Sequence, residues 1–313
     1  MDRMTAGQRD CLLFGAVYAP VAIACGGLSM LWAVPALALA ALLYSVMRHL
    51  LPEGRSLADV LPRWLLVPEL LFLIVAAAGV AAMAAACWPG GGSDPLFSLA
   101  LLALGGAAAW QGSAAAGRCA GILTWAAIAF FALVLGAAVI EGEQPANVGV
   151  WQEGLPVWTV LLLPACGLFL PSDKGKMRFW AGIAVYTLLV LAVTFGKGGD
   201  LPLLTAVKGI ELFGILQRFE ALASCVLTAG LFLTLAVLGC SANEILRALE
   251  MPAIPGAAMI VPEAALLLWI REIPGWIFAA AASIFWGLCP LLALLLEGHR
   301  QEKKIRSKSE KKC

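Results

Sequence analysis

Apolar stretches of about 20 residues recur along the whole chain, separated by short polar connections or by connections rich in Gly and Pro. A helix of this length matches the hydrocarbon thickness of a lipid bilayer. The pattern therefore predicts ten transmembrane helices joined by short loops. The predicted spans are 10–27, 28–47, 64–88, 95–116, 119–140, 156–171, 178–196, 211–240, 252–270 and 275–296.

Composition indicates the same class of protein, because 62% of the 313 residues are hydrophobic and only 13% are charged. We predict an all-α integral membrane protein with one transmembrane domain over residues 1–297. The tail over 298–313 is basic and polar, and we expect it to be disordered or to lie on anionic lipid. A plain basic flank after the last span is an equally good interpretation of this tail.

The distribution of Lys and Arg predicts the orientation. If the N-terminus is inside, the inner segments hold 17 of the 21 basic residues, and the outer segments hold Lys197, Lys208 and Arg271. Cytoplasmic loops of membrane proteins carry such an excess of positive charge. Both termini are therefore expected in the cytoplasm.

Residues that build catalytic or metal sites are sparse. The nine cysteines are scattered without CxxC spacing, and His49 and His299 lie in predicted loops or tails. This pattern does not favour a zinc site or a disulfide framework. No catalytic or phosphate-binding motif stands on a soluble face. We expect no metal, no cofactor, no nucleic-acid partner and no enzymatic activity.

The apolar run 212–239 carries two charges in its interior, Arg218 and Glu220. Charged groups inside a membrane helix are costly and usually face the interior of a bundle or a hydrated cavity. The two side chains lie about 200° apart on a helix, so each needs a partner elsewhere. We predict a polar pocket that they share with Gln217 and Ser224. In the alternative, Arg218 extends to the outer surface.

Ten spans divide into two halves of five, as in inverted-repeat transporters whose first helices are interrupted near mid-membrane. The first span of one half has Pro20 after Tyr18 and Ala19, and that of the other half has Pro164 before Gly167. Proline removes a backbone donor and leaves a carbonyl oxygen available to a ligand or an ion. These five residues are predicted to bind ligand. An ordinary proline kink is the alternative.

Two further carboxyl groups lie inside predicted spans, each directly after a proline. Glu69 lies about 8 Å from the inner flank of its span by helical rise, whereas Glu263 lies nearer the middle. Both are candidates for coupling an ion to the function of the bundle. For Glu69, the alternative is a side chain that reaches the inner surface or pairs with Arg63.

The segment 200–232, DLPLLTAVKGIELFGILQRFEALASCVLTAGLF, resembles the eighth-helix region of spore-germination permeases, with Arg218 and Glu220 matching the family's Arg-x-Glu or Arg-x-Asp pair. Two other stretches are similar to parts of the same family. These are MTAGQ with its Gln8 before the first span, and LPVWTVLLLPACGLFLPSDKGK over 155–176. The family comprises the B subunits of nutrient germinant receptors, within the amino acid–polyamine–organocation superfamily.

The resemblance implies a ten-helix, inverted-repeat transporter fold in the spore inner membrane. It implies a ligand pocket between spans 1, 3, 6 and 8, to which Gln217, Arg218 and Glu220 are expected to contribute. It implies a protein that binds a small nutrient, with an amino acid favoured, and relays that event to other germinant-receptor subunits. A secondary amino acid transporter driven by an ion gradient is the alternative function. A structural or assembly subunit without a ligand is a third possibility.

Overall fold

The computed structural model describes residues 4–24, 29–52, 54–87, 95–141, 161, 167–170, 219–251, 256–267 and 275–310. Within these residues all regular secondary structure is helical, with no β-strand. The elements are α1 Ala6–Ala24, α2 Ser29–Leu50, a 3₁₀ turn Leu57–Asp59, α3 Arg63–Cys87, α4 Pro95–Gln111, α5 Ser113–Glu141, α6 Phe219–Ala248, α7 Gly256–Leu267, α8 Gly275–Ala282, a π-helical segment Ser283–Leu288 and α9 Cys289–Glu310. The last three follow one another without a break.

Among the described helices, four stretches are long and apolar enough to cross a membrane. They are Arg63–Met83, Ser113–Phe130, Ala221–Ala248 and Trp276–His299, and shorter apolar helices cover Pro35–Leu50 and Pro95–Gln111. These helices are compatible with an all-α membrane protein. The count of ten spans and the two inverted halves stay predictions, because the span at 178–196 and most of the span at 156–171 lie outside the described residues.

Helix α1 begins at the MTAGQ sequence with a reciprocal pair of hydrogen bonds. The backbone N–H of Gln8 donates to Thr5 Oγ1 at 3.3 Å, and the backbone N–H of Thr5 donates to Gln8 Oε1 at 3.0 Å. This capping box satisfies two backbone donors at the start of the helix. The motif that carries part of the family resemblance therefore has a local structural role in this chain.

Helix α6 packs against α1, α3, α4 and α5, and glycines bring its backbone close to its neighbours. A Cβ atom at Gly239 would lie 2.6 Å from Ala109 Cβ of α4, and one at Gly105 of α4 would lie 2.6 Å from Leu235 Cβ. Lipid gives little hydrophobic drive for helix association, so close van der Waals packing at small residues stabilises the bundle. Helix α6 is therefore the scaffold that positions α1, α3 and α4 around it.

Ion pairs tie several helix ends together at one end of the bundle. Arg247 near the end of α6 lies 3.9 Å from Asp59 of the 3₁₀ turn, and Arg63 at the start of α3 pairs with Glu250. The arginines belong to segments that the charge distribution assigns to the inner side. The two observations agree that these segments share one side of the bundle.

The C-terminal tail is helical through Glu310 in α9 rather than disordered. The sequence after Gly298 contains no proline or further glycine, and it is rich in Lys, Arg, Glu and Gln, which favour helices. Basic residues near a helix C-terminus also interact favourably with the helix dipole. The last membrane-compatible helix therefore continues directly into the tail.

Candidate functional site

Tyr18 and Ala19, both predicted to bind ligand, are buried in the contact between α1 and α6. Tyr18 Oη donates a hydrogen bond to the carbonyl oxygen of Val226 at 2.6 Å. A Cβ atom at Gly230 would overlap Ala19 Cβ and would lie 2.8 Å from Tyr18 Cζ. In this structure, both residues hold the two helices together.

Helix α1 runs through Pro20 without interruption, as expected of the proline-kink alternative. Pro20 has no N–H for the carbonyl oxygen of Ala16, four residues earlier. Thr234 Oγ1 of α6 lies 2.6 Å from this oxygen, and it lies 3.0 Å from the carbonyl oxygen of Gly230 in its own helix. The carbonyl that was expected to serve a ligand therefore accepts a hydrogen bond from a neighbouring helix.

Three of the predicted ligand-binding residues lie outside the described residues: Pro164, Gln217 and Arg218. For Glu220, the structure describes the helical backbone in α6 but not the side chain. Gly167 is buried, and a Cβ atom there would overlap the ring of Tyr44 in α2. The described residues therefore place Tyr18 and Ala19 against α6 and Gly167 against α2.

A buried polar cluster, which the sequence did not lead us to predict, surrounds Tyr44 beside Gly167. Arg9 and Asp10 of α1 form an ion pair at 3.3 Å, and the charges of Arg9, Asp10 and Arg48 all act on the Tyr44 hydroxyl. Arg9 is 1% exposed, and Arg48 is 7% exposed. Cationic, anionic and phenolic groups thus share one desolvated site, named here the Tyr44 cluster.

The arginines of the Tyr44 cluster look ordinary in the sequence. Arg9 and Arg48 stand at the ends of predicted spans, where basic residues normally mark the cytoplasmic flank. Two signals in the sequence could have found the cluster. Asp10 adds an opposite charge at the start of an apolar run, and the four-residue spacing of Tyr44 and Arg48 puts both on one helix face.

Glu69 of α3 is buried at 2% exposure, so it does not reach the surface. Its suggested partner Arg63 is exposed and pairs with Glu250 instead. Both alternatives to an interior role for Glu69 are therefore wrong. The indole of Trp286, in the π-helical segment, faces the carboxyl group, and its ring centroid lies 4.7 Å from that of Phe72 in α3.

Glu263 is also buried, and it follows Pro262 inside α7. Helix α7 packs against α3 and α4. Both predicted ion-coupling carboxyl groups thus lie on helices that contact one another, although each has its own surroundings. A carboxyl group inside an apolar helix bundle is costly, and such groups in membrane proteins usually serve a function. The burial of Glu69 and Glu263 therefore makes both of them candidate functional groups.

Comparison with protein-family models and with curated proteins found no match to this chain. The resemblance to spore-germination permeases therefore depends on the residues of the sequence itself. To these residues the structure adds the Tyr44 cluster and the two buried carboxyl groups.

Proposed function

We propose that this chain is a membrane protein of the spore-germination permease type that binds a small nutrient, an amino acid, and relays binding to other germinant-receptor subunits. The resemblance of segment 200–232 supports the family. The Tyr44 cluster is the single observation that supports an amino acid as the class of ligand. An amino acid is a zwitterion, and this cluster offers buried groups of both signs.

The chemistry of each group fits one end of such a ligand. The guanidinium groups of Arg9 and Arg48 suit an α-carboxylate, because their planar fork forms paired charge-assisted hydrogen bonds. The Asp10 carboxylate pairs with Arg9 in the structure, and it suits an α-ammonium group that would bind as the ligand's carboxylate takes its place beside the guanidinium. Gly167, which contacts Tyr44, belongs to the segment 155–176 that resembles the family. The cluster and a family-like segment are therefore neighbours.

Ligand binding is tested by thermal unfolding of the full-length protein in lipid nanodiscs with each standard L-amino acid in turn. A ligand at one hundred times its Kd stabilises the folded state by about 2.7 kcal/mol, so we expect at least one amino acid to raise the Tm. Arg48→Gln should remove that increase, because the carboxylate loses a charged partner in a desolvated site. The readout is the difference in Tm with and without ligand.

Arg55→Gln is the matched control, since Arg55 is an exposed arginine on the connection that follows α2. This variant should keep the full increase in Tm. If no amino acid raises the Tm of the unmodified protein, the proposed ligand class is wrong. An increase that survives in Arg48→Gln would remove the Tyr44 cluster from the binding site.

A secondary amino acid transporter is the second candidate function, favoured by the buried carboxyl groups Glu69 and Glu263. Proteoliposomes containing a transporter would show saturable uptake driven by an ion gradient, whereas a sensor would bind the amino acid without uptake. Under the transporter hypothesis, Glu263→Gln should abolish accumulation against a gradient while leaving exchange of labelled amino acid intact. Equal accumulation by this variant and the unmodified protein would remove Glu263 from ion coupling.

A further inference from the structure

The Glu69 carboxyl group lies in an apolar interface between α3 and the π-helical segment. Glu69 Oε1 and Trp286 Nε1 are both fully enclosed, and neither completes a hydrogen bond within the described part of the chain. The indole N–H of Trp286 nevertheless acts on the Glu69 carboxyl group as a hydrogen-bond donor. The buried donor and the buried acceptor therefore lie close together, in a geometry short of an ideal hydrogen bond.

The backbone around Trp286 changes from α-helical to π-helical hydrogen bonding. The N–H of Cys289 bonds to the carbonyl oxygen of Ile284, five residues earlier, rather than to the one four residues earlier. Such π-turns are rare inside α-helices and occur frequently at functional sites. Here the π-turn places Trp286 in full burial against Phe72, one turn from Glu69. The π-turn and the polar pair of Glu69 and Trp286 therefore lie at the same position in the bundle.

The surroundings of Glu69 favour a proton over a metal ion. Sodium, calcium and magnesium are hard cations that need several oxygen ligands. Among the described residues, no group of three or more His, Cys, Asp or Glu side chains is arranged to hold a metal ion, and Phe72, one turn from Glu69, packs against the rings of Phe285 and Trp286. A proton needs only the carboxyl oxygen itself.

We propose that Glu69 is a proton-binding site inside the helix bundle and that Trp286 positions its carboxyl group. Protonation forms an O–H bond on the carboxylate and removes its charge, and deprotonation returns the proton to water. When the carboxylate is charged, the indole N–H of Trp286 donates to it. When the group is protonated, its charge is lost and this bond weakens.

Ionisable groups on the neighbouring elements determine how a titration of Glu69 can be assigned. Cys289 of α9 lies within electrostatic range of Glu69. Helix α4, which packs against α3, has no ionisable side chain. The described parts of the other helices that pack against α3 also carry ionisable groups, so the Glu69 signal has to be assigned by substitution. These groups are Arg9, Asp10, Cys11, Tyr18, Cys225, Cys240, Glu244, Arg247 and Glu263.

The test is an infrared titration of the full-length protein in lipid, following the C=O stretch of protonated carboxyl groups in buffers of different pH. We expect Glu69→Gln to lose one pH-dependent band that the unmodified protein shows. Trp286→Phe should keep that band but shift its frequency and its titration midpoint. Glu263→Gln, the matched buried carboxyl variant, should leave the Glu69 band unchanged.

An unchanged spectrum in Glu69→Gln would overturn the proposal. A band that does not move in Trp286→Phe would overturn the role of the indole. A band that responds to sodium at constant pH would show that a metal cation binds instead. The titration uses no amino acid, so it can succeed where the proposed nutrient binding fails, and the reverse also holds.

Discussion

Replacing Gly230 by alanine is expected to lower the free energy of unfolding by about 1–3 kcal/mol, and replacing it by valine should cost more. A Cβ atom at this position overlaps Ala19 Cβ and lies 2.9 Å from Tyr18 Oη. Ala19 has no flexible end to move aside, so the backbones of α1 and α6 must separate. That separation would also break the hydrogen bond from Tyr18 to Val226. The measurement is denaturant unfolding of the purified protein in mixed micelles.

Gly121→Ala in α5 is the control for this prediction. Gly121 is a helical glycine, and a Cβ atom there would meet no neighbouring group within 4 Å. Alanine there should be neutral or stabilise the protein by up to about 1 kcal/mol, because it favours the helical backbone. Equal stability of Gly230→Ala and Gly121→Ala would contradict the close contact between α1 and α6.

The positions of the helices could largely be predicted from the sequence, because apolar runs determine which segments form them. The run predicted at 64–88 is helix Arg63–Cys87, and that at 28–47 is Ser29–Leu50. The end of α6 was less accurate, since the helix continues to Ala248 beyond the predicted end at 240. Residues 241–248 mix polar side chains with buried Ala242, Ile245 and Leu246, and Asn243 donates a hydrogen bond to the carbonyl oxygen of Ala109 in α4. The polar residues hid from the sequence pattern an extension that tertiary contacts stabilise.

The candidate site was predicted in part. The apolar run around Glu69 was compatible with burial but equally with a side chain that reaches the inner surface, and only the structure decides between them. Its neighbour Trp286 is distant in sequence and could not be inferred from spacing. The Tyr44 cluster was missed because a flanking arginine has the same sequence signature whether it is solvated or buried. For Pro20, the sequence identifies a released carbonyl oxygen but not the group that satisfies it.

Thr234→Val is expected to lower the free energy of unfolding by about 1–3 kcal/mol, because it leaves the buried carbonyl oxygen of Ala16 without its donor from α6. Pro20→Ala supplies a backbone N–H to the same oxygen from within α1. Thr234→Val should therefore cost less in the Pro20→Ala background than in the unmodified protein. The measurement is a double-mutant cycle of unfolding free energies, with an expected coupling of about 1 kcal/mol.

Ser283→Ala provides the control for the bond that Thr234 makes within its own helix. Ser283 Oγ donates to the carbonyl oxygen of Ala279, four residues earlier, at 2.8 Å and at an exposed position. We expect this variant to lose only a few tenths of a kcal/mol, since such bonds within a helix add little to its stability.

If Pro20→Ala and Thr234→Val have additive effects, Thr234 does not replace the N–H that proline lacks. A positive coupling would instead assign the proline and the threonine to one function: together they allow α1 to remain a continuous helix beside α6.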